Sequence, residues 1–270
     1  MKLLKNNRIS YSMYSHLKES LPKHTMVVDL KSHRFIHPVY NPRDVEAVEI
    51  RNDNPKGFSA NYAYFSVWLL KKIFDAFTLK PQSSMNEKKY VNRLIMLNSI
   101  SAVPGFMGAM CRHLKSLRTL KKDYGWINHL ISEADNERMH LFMFLHMTKP
   151  TFAMKATIFS AQFIFSSLFF ASYMISPKYC HKFMEYFQNQ AVKTYAECLD
   201  AIENGPLSKW DTTPAPQEAI EYYELPSDAT LKDMILAIRA DAAISREIHR
   251  YYTKLPYEIE FERGPVQVRR

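Results

Sequence analysis

The sequence predicts a mostly α-helical protein, and three observations carry that reading. Runs of Leu, Met, Phe and Ala recur with the spacing of amphipathic helices. Glycine is scarce, with 6 in 270 residues, which leaves few positions for the tight turns of a hairpin-rich sheet protein. The hydrophobic class makes up 47% of the chain, enough for one large core, so one domain with ragged ends is the simplest organisation.

The elements follow in order. Met1 to His24 carries Lys2, Lys5, Arg8, Lys18 and Lys23 against one acid, Glu19, which reads as a mitochondrial-type basic leader or as a retained basic arm. Residues 25–61 are rich in Pro, Asn, Asp and His and predict an extended arm wrapped on a neighbour or on the body. After Pro55-Lys56-Gly57, the stretch Asn61 to Phe77 sets Phe65, Val67, Trp68, Leu70, Ile73 and Phe74 against Lys71, Lys72 and Asp75, an amphipathic helix with an aromatic face. A second helix should start near Lys88 and be disturbed at Val103-Pro104-Gly105 before Met107 to Leu117 continue it. A third runs from about Tyr124 to Met147 and stops before Pro150.

Between Lys155 and Lys178 no residue is charged. That length could span a bilayer, but Gln162 and Ser160, Ser166, Ser167 and Ser172 favour a core helix or one lying in the membrane interface. A fifth helix covers Pro177 to Asn204 and closes at Gly205-Pro206. Leu207 to Asp228 reads as irregular, Thr230 to Thr253 as the last long helix, and Pro256 to Arg270 as a second arm.

Charge and cysteine usage narrow the setting. The net charge of +9 and pI near 9.3 favour an anionic partner, a lipid surface or RNA, although residues such as Lys121, Lys122, Arg269 and Arg270 also suit a solvated surface. Cys111, Cys180 and Cys198 are odd in number and far apart. They suggest neither a disulfide framework nor a zinc site, and read as buried thiols in a reducing compartment.

One motif carries chemistry. Glu137-Arg138-Met139-His140 places a carboxylate and an imidazole one turn apart on one helical face. Two such helices facing two others with one Glu each make a carboxylate-bridged di-iron bundle, although a lone ExxH is a weak signal. The surroundings sharpen it. Ser132-Glu133-Ala134-Asp135-Asn136-Glu137-Arg138-Met139-His140-Leu141 resembles the signature of the alternative oxidases, ubiquinol-oxidising di-iron enzymes of the mitochondrial inner membrane. So do Ala102-Val103-Pro104-Gly105, Arg112-His113-Leu114, Gly125-Trp126-Ile127, Ser176-Pro177-Lys178 and Arg239-Ala240-Asp241.

The resemblance implies an all-α, ferritin-like, alternative-oxidase-like four-helix bundle with additional membrane-facing helices and extended terminal arms. Its organisation would be a basic N-terminal arm at 1–57, the helical domain at 58–255 and a C-terminal arm at 256–270. It also implies six metal-ligand positions. Here they read Asn98, Glu137, His140, Gln188, Ala242 and Ser245, so four ligands are missing and the di-iron centre is expected to be lost. Asn98 and Gln188 are expected to donate amide hydrogens to Glu137 in its place. Positions that the family uses near the irons or the quinol remain as Arg93, Leu97, Ala191, Thr194, Tyr195 and Asp241, by packing or by retained binding of ubiquinone or lipid.

The expectation from these losses is a catalytically inactive pseudoenzyme. It would serve as an accessory subunit of a respiratory-chain complex, peripheral on the matrix side of the mitochondrial inner membrane. It would bind other subunits through its arms and the membrane through residues 61–77 and 151–175, with a family-type homodimer or heterodimer retained. The alternatives are a protein of the mitochondrial ribosome that contacts RNA, and a residual ubiquinol oxidase with a metal site remodelled from Glu137, His140 and Asp241.

Overall fold

The computed structural model describes residues 28–29, 34–35, 37, 40, 42–78, 86–123 and 125–254. Among them are a two-residue antiparallel pair, β1 (Val28–Asp29) and β2 (Arg34–Phe35), and eight helices. These are α1 (Pro42–Glu46), α2 (Phe58–Phe77), α3 (Glu87–Thr119), α4 (Trp126–Met147), α5 (Phe152–Ile175), α6 (Pro177–Asn204), α7 (Gln217–Tyr223) and α8 (Leu231–Lys254). The C-terminal arm expected at 256–270 and the basic leader at Met1 to His24 lie outside the described residues.

Side chains start the helices where the sequence places caps. The side chain of Asn86 accepts from the Lys89 amide, that of Thr151 from Met154, and that of Ser176 from Tyr179; each satisfies a first-turn N–H that has no helical partner. Gly125 enters α4 at φ 96°, in the left-handed region.

Helix α3 runs unbroken through Pro104, where a disturbance was expected. Proline removes one backbone hydrogen bond there, but packing against α4 keeps the helix continuous. A Cβ on Gly105 would lie 2.7 Å from the Leu130 carbonyl oxygen of α4, so glycine lets the two backbones touch. The stretch 207–228 is also more regular than expected. It holds a 3-10 turn, Ser208–Asp211, and α7, and its ends are stitched by Ala215 N–H to Ala229 O (2.8 Å) and Leu231 N–H to Thr213 O (2.9 Å).

Helices α3 and α4 pack along one another, as do α6 and α8, and the two pairs close a four-helix bundle. One core joins Leu94, Ile95, Met143, Phe144, Val192 and Ile235 across all four helices. A second, of Ala63, Val67, Phe169, Tyr173, Phe183 and Met184, seats α2 and α5 on α6. The segment before α2 is fastened to this chain's own bundle. Arg239 donates to the Val45 carbonyl (2.9 Å), Arg246 to that of Glu49 (3.1 Å) and Asn189 to that of Arg51 (2.9 Å).

Among the described residues, two helices, α3 and α5, are long and apolar enough to cross a membrane by length and composition. Most of that stretch of α3 is buried in the bundle, whereas α5 is largely exposed. Phe152, Phe159, Phe163, Ile164, Leu168 and Met174 of α5 stand outward, as do Phe58, Tyr62, Phe65, Trp68, Leu69 and Ile73 of α2. All three cysteines are buried and free.

Candidate functional site: a buried core of acids and imidazoles

The polar centre of the bundle is built from α4 outward. Glu133, Glu137 and His140 recur at helical spacing, so one face of α4 points two carboxylates and an imidazole at α3, α6 and α8. Glu137 and His140 are buried.

Gln188 of α6 lies between the two carboxylates, its Nε2 donating to Glu133 Oε1 (3.0 Å) and to Glu137 Oε1 (3.2 Å). Asn98 does not reach Glu137 as expected. Its Nδ2 donates to its own helix at Leu94 O (2.7 Å), and its Oδ1 accepts from the Tyr195 hydroxyl (3.0 Å). Ala242 contributes only a buried methyl. Ser245 donates to Glu133, and His249 Nε2 meets Glu133 Oε2 at 2.8 Å. Burial alone would raise the Glu133 carboxyl; His249, Ser245 and Gln188 hold it below its ordinary value.

A second acid centre forms on Asp241 of α8. Its Oδ2 meets His140 Nε2 at 2.9 Å and accepts from the Tyr223 hydroxyl at 2.7 Å, while Oδ1 meets His37 Nε2 at 2.8 Å and accepts from Tyr40. Burial opposes the charge on both partners. Against it, the hydrogen bond to Asp241 and the nearby Glu137 carboxylate lift His140 to about 9, and His37 and His140 hold Asp241 far below the usual carboxylate range. His140 Nδ1 lies 3.6 Å from Glu137 Oε2, close enough for attraction but too far for a hydrogen bond. Asp241 and His140 therefore form an ion pair with its charge centres buried.

The positions that the resemblance links to quinol fall into two groups. Leu97, Ala191 and Tyr195 share the first core, and the Thr194 hydroxyl turns back to the Gln190 carbonyl (3.0 Å). Arg93, also buried, sits where α3 meets the end of α2. It donates to Asp75 and to the Thr78 hydroxyl, and its guanidinium lies 4.5 Å from the centre of the Phe74 ring.

A two-iron centre of the implied kind needs four carboxylates and two imidazoles. The six positions offer one of each. The other acids beside these positions, Glu133 and Asp241, are taken up by imidazoles, and the atom that Gln188 turns toward Glu133 and Glu137 is an N–H donor, which cannot ligate. Among the described residues no group of three His, Cys, Asp or Glu is arranged to hold a metal. The residues do not fit two irons.

Sequence reasoning missed His37, Tyr40, Tyr223 and the pairing of His249 with Glu133. The spacing of four residues between Glu133 and Glu137, and again between Ser245 and His249, was the available signal, since each pair lies on one helical face.

The chain matches the family model described as alternative oxidase over residues 40–253. It is 36% identical to "Alternative oxidase, mitochondrial" of Emericella nidulans over 265 residues, 93% of this chain and 75% of the relative. It is 37% identical to the protein of that name from Yarrowia lipolytica over 231 residues, 82% of this chain and 65% of the relative. To "Alternative oxidase 3, mitochondrial" of Glycine max it is 38% identical over 215 residues, 80% of this chain and 63% of the relative. All three names agree with the mitochondrial expectation.

These findings overturn the expected pseudoenzyme, with its accessory-subunit role and its ribosomal alternative. The relatives are named as oxidases, and none of these three is an accessory or ribosomal protein. The error was to equate a count of side chains at six positions with the loss of the core's chemistry. Glu133, Asp241, His249 and His37 beside those positions keep the same core rich in acids and imidazoles. By its bundle, by the Glu137–His140 pair at its centre and by a match that spans most of its length, the chain belongs to the alternative oxidase family.

Proposed function

We propose that this chain works on the matrix side of the mitochondrial inner membrane, where it binds a hydroquinone lipid at the buried guanidinium of Arg93. The observation that carries this reading is Arg93. A buried guanidinium at the α2–α3 junction, paired with the Asp75 carboxylate and the Thr78 hydroxyl and stacked on the Phe74 ring, gathers the donors and acceptors that a hydroquinone's two oxygens would exchange for. Leu97 stands one turn further along α3, next to Asn98 and its Tyr195 partner. The helix thus leads from Arg93 toward Glu137.

The membrane side of the reading rests on the outward aromatic faces of α2 and α5. Burying a large apolar side chain in lipid contributes about 1.5–3 kcal/mol, so a few such residues hold a protein on a bilayer. Helix α5 suits the interface better than a span. Gln162 donates to the Ser99 carbonyl of α3 (2.7 Å) and fastens α5 flat on the bundle.

The test is binding of a short-tailed ubiquinol to the protein on phosphatidylcholine–cardiolipin vesicles, followed by quenching of tryptophan fluorescence. Saturable binding that Arg93→Leu weakens by about tenfold or more, in a variant whose circular dichroism is unchanged, is expected. Binding that does not saturate, or that is the same in the variant, would overturn the reading.

A further inference from the structure

Beyond the ion pairs, the core contains a continuous chain of hydrogen-bonding groups from four different helices. Glu133 Oε2 of α4 meets His249 Nε2 of α8 at 2.8 Å. His249 Nδ1 faces His181 Nδ1 of α6 at 3.0 Å, and His181 Nε2 meets the hydroxyl of Tyr173 on α5 at 3.2 Å. Both imidazoles are 1% exposed and Tyr173 is 4% exposed, so water cannot substitute for any of these contacts.

The middle contact fixes the protons. Two imidazole Nδ1 atoms at hydrogen-bond distance cannot both be bare, for then neither donates, and they cannot both carry hydrogen, for then neither accepts. One proton is shared between them. His249 thus links the acid core on α4 to His181 on α6.

We propose that His249 and His181 form a proton relay joining Glu133, in the acid core, to Tyr173 beneath the outer face of α5. In the resting state His249 Nε2–H donates to the Glu133 carboxylate, so His181 Nδ1–H donates to His249 Nδ1 and the Tyr173 hydroxyl donates to His181 Nε2. A proton that reaches the Tyr173 oxygen sends that hydroxyl's own proton to His181 Nε2, the Nδ1 proton of His181 to His249 Nδ1 and the Nε2 proton of His249 to Glu133. One proton enters and one is delivered. Both rings are then in the opposite tautomer, and a proton travelling outward, or a turn of both rings, resets them. Burial and the neighbouring His249 and Arg112 keep His181 neutral, so its charged form is only a passing state. Trp126 and Tyr252, packed on the His181 ring, close the relay off from its sides.

Imidazole nitrogen and proton spectra of the full chain labelled with nitrogen-15 histidine test this directly, without any substrate. One proton shared between the two Nδ1 atoms, far downfield and lost in His249→Gln, is expected. Tyr173→Phe should leave that proton in place but slow its exchange with solvent by about tenfold or more, since the outer hydroxyl is gone while the ring still packs. A pair of histidines serving only as structure would exchange at the same rate in both proteins, and that result would overturn the relay. So would spectra in which no proton is shared. Failure of the hydroquinone reading leaves both measurements unaffected.

Discussion

Asp241→Asn is the most informative single change, because it removes the charge that two imidazoles and two phenols surround. The largest quantity at stake is the protonation of His140, held at about 9 in the folded protein against roughly 6.5 in an unfolded chain. That raised value corresponds to roughly 3 kcal/mol of stability. Because the folded value is raised, the contribution is fully present below about pH 6.5 and is lost as pH rises through about 9. Asp241's own contribution, from a carboxyl held far below its ordinary value, is present above about pH 4 and constant through that window. The wild type should therefore lose melting temperature between about pH 6 and pH 10, by about 6–12 °C at the 2–4 °C per kcal/mol usual for this size. Asp241→Asn should melt lower at about pH 6 and show a much flatter profile, so that the gap between the proteins narrows as pH rises. Thermal unfolding followed by circular dichroism across that range measures it. A gap of constant size would refute the reasoning, since it would show that Asp241 supports the fold without holding a proton on His140.

Three further variants and one measurement on the wild type probe the rest of the molecule. Gly105→Ala puts a Cβ 2.7 Å from the Leu130 carbonyl and 3.2 Å from the Ala134 amide, both backbone, so thermal unfolding should show a loss of about 1–3 kcal/mol. Arg112→Met removes the 2.8 Å contact to Asp123 and the guanidinium lying 4.1 Å from the centre of the Trp126 ring. Burial already raises the Asp123 carboxyl, so a drop of about 3–5 kcal/mol in urea unfolding is expected. Replacing Phe159, Phe163 and Leu168 together by Ser should leave the melting temperature nearly unchanged, because all three are exposed. The same variant should abolish co-flotation with vesicles. Elemental analysis of the purified wild type should find fewer than two irons per chain, and a full pair would show that the donor argument is wrong.

The long helices were legible because their signals are local. The apolar stripe at Asn61 to Phe77 needs no knowledge of any neighbour, and Pro177 to Asn204 matches α6 at both ends. Pro104 misled because its cost is local while the compensation, contact of Gly105 with the α4 backbone, is not. The site was legible only as far as a single helix reaches. Glu137 and His140 are one turn apart, but His249 meets Glu133 across 116 residues, His37 meets Asp241 across 204, and Asn98 turned to Leu94 and Tyr195 instead of Glu137. Pairings of that kind depend on how α4 and α8 are set against each other, which no periodicity encodes. The functional misjudgement has the same origin, since the acids and imidazoles that keep the core polar come from positions outside the motif that was counted.

The proposed hydroquinone site lies between α2 and α3 at Arg93. A short-tailed azidoquinone, photolysed on the vesicle-bound protein and followed by mass spectrometry of its peptides, locates the site directly. Label confined to the stretch from Lys71 to Asn98, and displaced by excess ubiquinol, is the predicted result. Label spread over the apolar surface of α5, or unaffected by ubiquinol, would contradict the account.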